Sequence, residues 1–194
     1  MIMRRVRAVR SWLGDRFTIR KGGLIHRDSR RQRPTWTDYF LGMAFLASQR
    51  SHDVHTQHGC IIVDENRHIV ATGYNGFPKG MDDTSLPLTR PEKYLWMDHA
   101  EANAVANATR SLGDFARLTA YVTGKPCYDC LKTLRRHGVR SVVYANRRGF
   151  TSGMAEDVRA AWDRLVEQGD MTIVCVEHIL GWMFTDEFKK ECGV

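Results

Sequence analysis

The chain has 194 residues, enough for one domain with a buried core, and its hydrophobic content of 43% and charged content of 26% are typical of globular proteins. No apolar run approaches the roughly 20 residues that a membrane-spanning helix needs, and arginines interrupt each candidate for a secretory signal. These features exclude an integral membrane protein and argue against a secreted one. We therefore expect a protein of the cytoplasm, or of the host cytoplasm if its source is viral.

The net charge of +7 is concentrated at the start of the chain. Residues 1–33 carry eleven Lys and Arg against two Asp, a charge of +9, whereas residues 34–194 carry eighteen basic and twenty acidic side chains, a charge of −2. We predict a basic, flexible extension over 1–33, a main domain over 34–177, and a tail over 178–194 with room for a short helix. Because the main domain is nearly neutral, nucleic-acid binding is expected only through residues 1–33.

The main domain opens with a helix and a β-hairpin, and folded structure is expected to begin after Pro34. Apolar residues at helical spacing from Trp36 to Ala47 predict the helix, with Thr35 or Thr37 as its cap. Residues 59–63 and 68–72 read as two strands joined by a turn at 64–66. A glycine-rich loop at 73–80 and an irregular polar stretch then lead to a helix from about His99 through Arg110.

The rest of the main domain alternates between strands and helices. Strands are predicted at 118–123, 139–145 and 171–176, and helices at 127–137 and 154–168. Strands separated by helices of this length require parallel crossovers and a sheet that is covered on both faces. The sequence therefore predicts an α/β fold whose five-stranded mixed sheet consists of the hairpin followed by parallel strands.

Five cysteines make an odd count, which fits no complete disulfide framework and favours a reducing compartment. Cys60 and Cys175 lie in apolar runs and are predicted to be buried small hydrophobes. Cys192 stands alone. Cys127 and Cys130 have the spacing of a metal-ligand pair.

Two short segments that each begin a predicted helix suggest a metal site. The first contains His99 and Glu101, and the second is Pro-Cys-Tyr-Asp-Cys at 126–130. At a helix N-terminus, free N–H groups and the helix dipole favour thiolates over thiols. His99, Cys127 and Cys130 would give zinc three protein ligands and leave its fourth position open for water, which is the arrangement of a catalytic zinc.

Glu101 is the predicted catalytic acid and base. It follows His99 by two residues, at roughly 100° per residue, so it points away from His99 in a regular helix. Both residues can reach one site only if they lie in the first helical turn. There Glu101 could take a proton from water and deliver it to a ring nitrogen.

A redox Cys-x-x-Cys pair and a structural zinc are the alternative interpretations of the cysteine motif. A redox pair leaves Pro126 and the upstream His-x-Glu unexplained. Together, in this order, the two segments match the signature of zinc deaminases, His-x-Glu followed by Pro-Cys-x-x-Cys.

With these motifs the chain resembles the deoxycytidylate (dCMP) deaminases of the cytidine deaminase superfamily, from about Arg33 to Glu177. The likeness lies in RPTWTDYF at 33–40, QRSHDVHTQ at 49–57, GYNGFPKG at 73–80, HAEANA at 99–104, and TAYVT at 119–123 leading into Pro-Cys. The glycine loop at 73–80 separates this family from other deaminases that share the metal motif.

The resemblance implies a three-layer fold and the Zn²⁺-dependent hydrolysis of dCMP to dUMP and ammonia, which feeds thymidylate synthesis. It also implies a homo-oligomer, often a hexamer, that is activated by dCTP with Mg²⁺ and inhibited by dTTP. Deaminases of dCTP or of 5-substituted dCMP remain open as alternatives. Another alternative, of a different class, is a zinc-stabilised protein that binds nucleic acid through residues 1–33. The nearly neutral main domain argues against a deaminase that acts on a base within nucleic acid.

Further site residues follow from the resemblance by position. Asn75 would hold the sugar, Tyr121 would line the base or sugar pocket, and Arg50 and Thr56 would contact the phosphate. The allosteric nucleotide would lie against Gly76, Phe77, Pro78, Lys79, Gly80 and Arg110.

Most of these assignments also have an ordinary structural interpretation. Asn75 could be a turn residue, Tyr121 a half-buried strand aromatic, and Arg50 and Arg110 helix-end charges. Asn103 could orient the site or cap nearby carbonyls.

Three histidines depart from the family pattern. His58 replaces a small apolar residue and forms a trio with His52 and His55. Because some relatives carry a second zinc nearby, the trio could bind a metal. Histidines in a loop can equally be polar surface.

Overall fold

The structure is a computed structural model. It describes residues 34–53, 55–82, 84–108, 111–145 and 155–176, together with the backbone of 17–20 and 23–26. Arg110, most of the basic extension and the predicted tail over 178–194 lie outside the described residues. The chain divides into two compact units, residues 1–34 and 35–194. None of the described helices is long and apolar enough to cross a membrane.

The first unit contains a two-stranded antiparallel sheet, β1 (Phe17–Arg20) and β2 (Gly23–His26), with Phe17 opposite His26. The sequence pattern predicted folded structure only after Pro34 and did not indicate this hairpin. Strands of four residues offer too few repeats for a period-two pattern to be recognised within an arginine-rich stretch.

The second unit is built on a five-stranded mixed sheet in the order β4-β3-β5-β6-β7. Its strands are β3 (Gly59–Asp64), β4 (Ile69–Tyr74), β5 (Leu118–Val122), β6 (Val139–Ala145) and β7 (Thr172–Val176). Strand β3 runs antiparallel to β4 and β5, whereas β5, β6 and β7 are parallel to one another. The predicted α/β fold with a hairpin followed by parallel strands is therefore confirmed.

In the described part of the chain, four helices cover the sheet: α1 (Trp36–Ser48), α2 (Ala100–Ala106), α3 (Tyr128–Arg136) and α4 (Glu156–Gln168). Single 3₁₀ turns, Glu92–Leu95 and Leu112–Asp114, lie in the connections that the structure describes. The hydroxyl of Thr35 caps α1 by accepting a hydrogen bond of 3.1 Å from the backbone N–H of Asp38. Helix α2 ends before Asn107, earlier than the predicted Arg110.

The two faces of the sheet carry separate hydrophobic clusters. On one face, residues of α1 such as Phe40 and Leu41 pack on β3, β5 and β6. On the other face, residues of α2, α3 and α4 such as Ala104, Leu131 and Trp162 pack on the same strands. All six residues of β3 are buried because helices cover both of its sides. This gives the predicted three layers and places α2 and α3 side by side on one face.

Helix α2 lies unusually close to β4 at Gly73. A Cβ atom added at Gly73 would lie 2.2 Å from the backbone nitrogen of Ala104 and 2.4 Å from the carbonyl oxygen of Ala100. Only a residue without a side chain leaves room for this approach. Gly73 therefore sets the position of α2, the helix that begins at His99.

The prediction for Cys60 is confirmed, and the one for Cys175 is wrong. Cys60 lies on the central strand β3 and is fully buried, whereas Cys175 on β7 is exposed. Strand β7 is an edge strand of the described sheet, and most of its side chains are at least partly exposed. An apolar run in the sequence does not distinguish an edge strand from a central one.

Candidate metal centre and active site

Three ligand atoms converge where α2 and α3 begin. The Nδ1 atom of His99 lies 3.4 Å from Sγ of Cys127 and 3.3 Å from Sγ of Cys130. All three ligand atoms lie within 4.8 Å of one another, and within the described ranges no other group of three or more His, Cys, Asp or Glu residues meets in this way. The structure therefore brings together the three metal ligands predicted from the sequence.

Helix starts put these ligands in place. His99 is the N-cap residue of α2 and Cys127 is the N-cap residue of α3, both with extended backbone. Cys130 follows in the first turn of α3, and its backbone N–H donates to Sγ of Cys127 at 3.4 Å. The two helix N-termini therefore face one point, where their dipoles favour negatively charged thiolates.

A residue of α4 also holds the segment just before Cys127 in place. The indole Nε1 of buried Trp162 donates to the carbonyl oxygen of Pro126 at 3.2 Å, and the ammonium of Lys125 lies 4.2 Å from the centre of the indole ring. The residue that precedes Cys127 is thus tied to a helix 36 positions away.

The three ligand side chains shift one another's pKa values. The hydrogen bond between Cys127 and His99 raises the pKa of the His99 imidazole to about 9. The hydrogen bond with Cys130, together with the one to His99, lowers the pKa of Cys127 to about 4. The same contact with Cys127, with burial, raises the pKa of Cys130.

The donor set fits zinc. One imidazole nitrogen and two cysteine sulfurs are the ligands that zinc prefers, and three protein ligands are the number found in catalytic sites. His99 is exposed while Cys130 is buried, so the centre is accessible from solvent on the histidine side. These three residues could hold a zinc ion that a ligand from solution can reach.

Glu101 lies beside the three ligands. It is 5% exposed and occupies the first turn of α2, as the geometric argument from the sequence required. Burial raises the pKa of Glu101, and its carboxyl group interacts with the Cys130 thiol. A carboxyl group that holds its proton more tightly than usual is suited to accept and return a proton near neutral pH.

The glycine loop is joined directly to the His99 segment. Gly76 and Asp98 form an isolated antiparallel bridge, with backbone hydrogen bonds of 3.1 and 2.9 Å. The side chain of Asn103 donates to the carbonyl oxygen of Tyr74 at 2.9 Å. Of the two interpretations given to Asn103, this contact matches carbonyl capping, and it fixes the loop on α2.

Asn75 is buried and anchors the neighbouring loop. Its Nδ2 donates to the carbonyl oxygen of Thr56 at 2.8 Å, and its Oδ1 accepts from the backbone N–H of His58 at 2.7 Å. The amide still has one N–H and one acceptor position for a ligand. Asn75 therefore connects the loop at 51–58 to the bridge beside His99.

Thr56 lies in that loop and Arg50 lies just before it. A second arginine, Arg90, contacts the loop and was not predicted from the sequence. The guanidinium Nη2 of Arg90 donates to Oγ1 of Thr56 at 2.8 Å. Arg50 is exposed just after α1. No sequence pattern pointed to Arg90, because it lies in the irregular polar stretch, 34 residues from its partner.

The structure does not bring Tyr121 to this site. Residues alternate between the two faces along β5, and Val122 packs on the side of α2 and α3 whereas Tyr121 packs against Phe40 of α1. The two ring centres lie 5.0 Å apart. The assignment of Tyr121 to the substrate pocket is corrected: it is a core aromatic of the opposite face.

The three-histidine trio does not converge either. His52 and His55 are exposed, whereas the Nδ1 atom of His58 lies 3.1 Å from Oγ1 of Thr123. The trio is not among the metal-binding groups of the described part of the chain. A second metal at these residues has no support from the structure.

The predicted allosteric residues form the outer part of the glycine loop. Gly76 is buried and Phe77 half-buried, whereas Pro78, Lys79 and Gly80 are exposed. Gly80 has a positive φ of 92° and closes a turn in which the Met81 N–H donates to the Pro78 carbonyl.

A shallow cavity of about 360 Å³ lies between α3 and α4 and shares no residue with this loop or with the metal centre.

Comparison with known proteins identifies the family. The sequence model of the cytidine and deoxycytidylate deaminase zinc-binding region matches residues 34–146, more than half of the chain. Human deoxycytidylate deaminase is 35% identical over 130 residues, which are 64% of this chain and 72% of the human protein. The deoxycytidylate deaminase of Mycobacterium phage D29 is 36% identical over 129 residues, which are 58% of this chain and 95% of the phage protein.

A solved structure agrees with these sequences. The dCMP deaminase of cyanophage S-TIM5, crystallised in complex with dCMP and dUMP, superposes with a TM-score of 0.54 at 26% identity and covers 75% of this chain and 100% of its own. The chain belongs to the cytidine and deoxycytidylate deaminase family, which confirms the resemblance drawn from the motifs. It is a deaminase, a hydrolase that acts on a carbon–nitrogen bond.

Proposed function

We propose that this chain hydrolyses dCMP to dUMP and ammonia. The observation that carries the proposal is the convergence of His99 Nδ1 with the sulfurs of Cys127 and Cys130 beside the buried Glu101. The names of the relatives support dCMP as the substrate, as does the solved complex of the cyanophage enzyme with dCMP and dUMP. We expect zinc as the metal, held by the three converging residues.

When bound, zinc supplies Lewis-acid chemistry and lowers the pKa of water towards about 7. The chain supplies the proton transfers. The Glu101 carboxylate accepts a proton from the attacking water and, as a carboxylic acid, delivers it to a ring nitrogen of the cytosine. The water oxygen forms the new bond to the ring carbon. Glu101 then takes the second proton from that oxygen and passes it to the amino group, the carbon–nitrogen bond breaks, ammonia leaves, and the oxygen remains as the carbonyl of the uracil ring. Burial of Glu101 favours this double role because it raises the carboxyl pKa.

The substrate's sugar and phosphate would meet the loop at 51–58. Asn75 keeps one donor and one acceptor position for a sugar hydroxyl. Thr56 and Arg50 are the proposed phosphate contacts, to which we add Arg90 because its guanidinium already lies on the Thr56 hydroxyl. Arg90 is in no ion pair of the described residues. It can therefore offer its charge to a phosphate.

The finer biological assignments are also proposals. They include supply of dUMP for thymidylate synthesis, activation by dCTP with Mg²⁺, inhibition by dTTP, and assembly into a homo-oligomer, with a hexamer favoured. The effector would bind at the glycine loop, Gly76 to Gly80, and at Arg110. We expect a cytoplasmic enzyme, with any contact to nucleic acid confined to residues 1–33.

A substrate panel tests the proposal. Purified, zinc-loaded protein is incubated with dCMP, dCTP, 5-methyl-dCMP and deoxycytidine, each alone, with dTTP, and with dCTP and Mg²⁺, and the products are separated by chromatography. We expect dUMP from dCMP as the fastest reaction. Faster turnover of dCTP or of the 5-methyl nucleotide would identify that compound, instead of dCMP, as the preferred substrate. No turnover of any compound would contradict the proposed function.

A further inference from the structure

A buried ion pair joins the loop at 51–58 to the chain segment that precedes His99. The Nζ of Lys93 donates to Oδ2 of Asp53, 40 residues away in sequence. Lys93 is 1% exposed and Asp53 is 3% exposed, whereas every other ion pair of the described residues has at least one well-exposed partner. Because desolvation offsets much of the attraction in a buried pair, stability alone does not explain why two charges lie here.

Asp53 organises the loop around its carboxylate. Its Oδ1 accepts hydrogen bonds from the backbone N–H groups of His55 and Thr56, at 3.0 and 3.1 Å. Burial alone would raise the pKa of Asp53, but the hydrogen bonds from Lys93 and from these two N–H groups hold it below its usual value. The turn therefore forms on an ionised carboxylate that Lys93 neutralises.

The turn formed on Asp53 is hydrogen-bonded to Asn75. The carbonyl of Thr56 and the N–H of His58 are the two groups that the Asn75 amide binds. On the other side, Lys93 belongs to the 3₁₀ turn Glu92–Leu95, and its carbonyl accepts from the N–H of Met97 at 2.9 Å. The ion pair thus ties the loop at 51–58 to the segment that enters His99.

We propose that Asp53 and Lys93 are positioning residues for nucleotide binding. They hold the Thr56 turn against Asn75 in the shape that receives the sugar and phosphate of the substrate. Neither residue touches the substrate, so both act through Thr56 and Asn75. The inference rests on the proposed function, since that function supplies the nucleotide for which the turn is shaped.

The test variant is K93M, which keeps most of the side-chain length but leaves the Asp53 carboxylate without its cation. The carboxylate then turns towards water and releases the two backbone N–H groups. We expect KM for dCMP to rise by about tenfold or more while kcat falls by less than about threefold. Zinc content should stay at one per chain, because the metal ligands are unaffected.

Hydrogen exchange gives a readout that is independent of turnover. In K93M the amides of His55 and Thr56 should exchange at least about tenfold faster, because their acceptor has moved away. K93R keeps the cation and should restore both KM and exchange protection. R159M removes the cation of the exposed Arg159–Glu156 pair on α4, 3.7 Å apart, and serves as the matched control with no expected change in either quantity.

The outcomes separate this inference from the proposed function. Wild-type exchange rates and wild-type KM in K93M would overturn the inference, as would a lower melting temperature with KM unchanged. If K93M fails to fold, D53N is measured instead, and we expect a raised KM of the same kind. If the wild-type protein does not convert dCMP, the proposed function fails, while the exchange measurement still decides whether the pair holds the turn.

Discussion

The metal centre and the loop at 51–58 are each held in shape by a different kind of contact. His99 and Cys127 are the N-cap residues of two helices, and Cys130 lies in the first turn of the second helix. The Thr56 turn, by contrast, depends on the side chains of Asn75 and Arg90, 19 and 34 residues away, and on the buried Asp53–Lys93 pair. The first region is built from local motifs and the second from long-range contacts.

This difference has a functional consequence. The metal centre places the reacting groups, so damage to it should lower the rate of the chemical step. The loop places the substrate, so damage to it should weaken binding and leave the chemical step largely intact. Variants in the two regions should therefore separate into effects on kcat and effects on KM.

The largest effect is expected from removal of a metal ligand. C130A leaves two ligand side chains, which are too few to hold zinc firmly. We expect zinc content to fall well below one per chain and deamination of dCMP to fall by at least about ten thousandfold. Metal analysis and product assay measure the two losses together. C175A changes an exposed cysteine on β7 and should retain both, and full activity of zinc-free C130A would contradict the account.

E101Q should show a smaller but still large effect. The amide occupies nearly the same volume as the carboxyl group but cannot carry the proton, so kcat should fall by at least about a hundredfold. Zinc content and the affinity for dUMP, measured by calorimetry, should remain close to the wild-type values. An E101Q protein with wild-type kcat would remove Glu101 from the mechanism.

In the loop, R90Q tests whether Arg90 binds the phosphate. The variant removes the charge beside Thr56, and we expect KM for dCMP to rise about tenfold with little change in kcat. Deoxycytidine, which has no phosphate, is the internal control, and its kcat/KM should change by less than about twofold. R136Q, at an exposed arginine in the last turn of α3, is the matched control variant. Equal losses on the nucleotide and the nucleoside would show that Arg90 does not recognise the phosphate.

The smallest effect is expected for Y121F. Tyr121 packs against Phe40 on the α1 face of the sheet, and the metal ligands begin the helices of the other face. Removal of the hydroxyl should therefore change kcat/KM for dCMP by less than about twofold. A loss of tenfold or more in kcat/KM would support the original assignment of Tyr121 to the substrate pocket.

The sequence predicted the parts of the molecule that depend on neighbouring residues. The hairpin and the strand–helix alternation predicted the mixed sheet, and the two helix-start motifs predicted where His99, Cys127 and Cys130 meet. Tyr121 was misplaced even though it lies six residues before Cys127, because strand residues alternate between faces and closeness in sequence does not identify the face. Because Val122 and Tyr121 are neighbours on β5, they must face opposite sides of the sheet, and this alternation could have placed Tyr121 on the α1 side.

Long-range features were missed for a different reason. Arg90 and Lys93 lie in an irregular stretch without periodicity, and their partners are 34 and 40 residues away. A charged residue in such a stretch is usually exposed, so nothing in the sequence singled out Lys93 as buried. Contacts of this kind become visible only once the loops are placed in space.

X-ray absorption spectroscopy at the zinc edge of the native protein tests the central claim most directly. The account predicts one zinc per chain with two sulfur ligands at about 2.3 Å and one imidazole nitrogen at about 2.0–2.1 Å, and a fourth position taken by a light atom that dUMP or another pyrimidine ligand perturbs. A protein without zinc, or a zinc enclosed by four side chains and indifferent to the nucleotide, would contradict it.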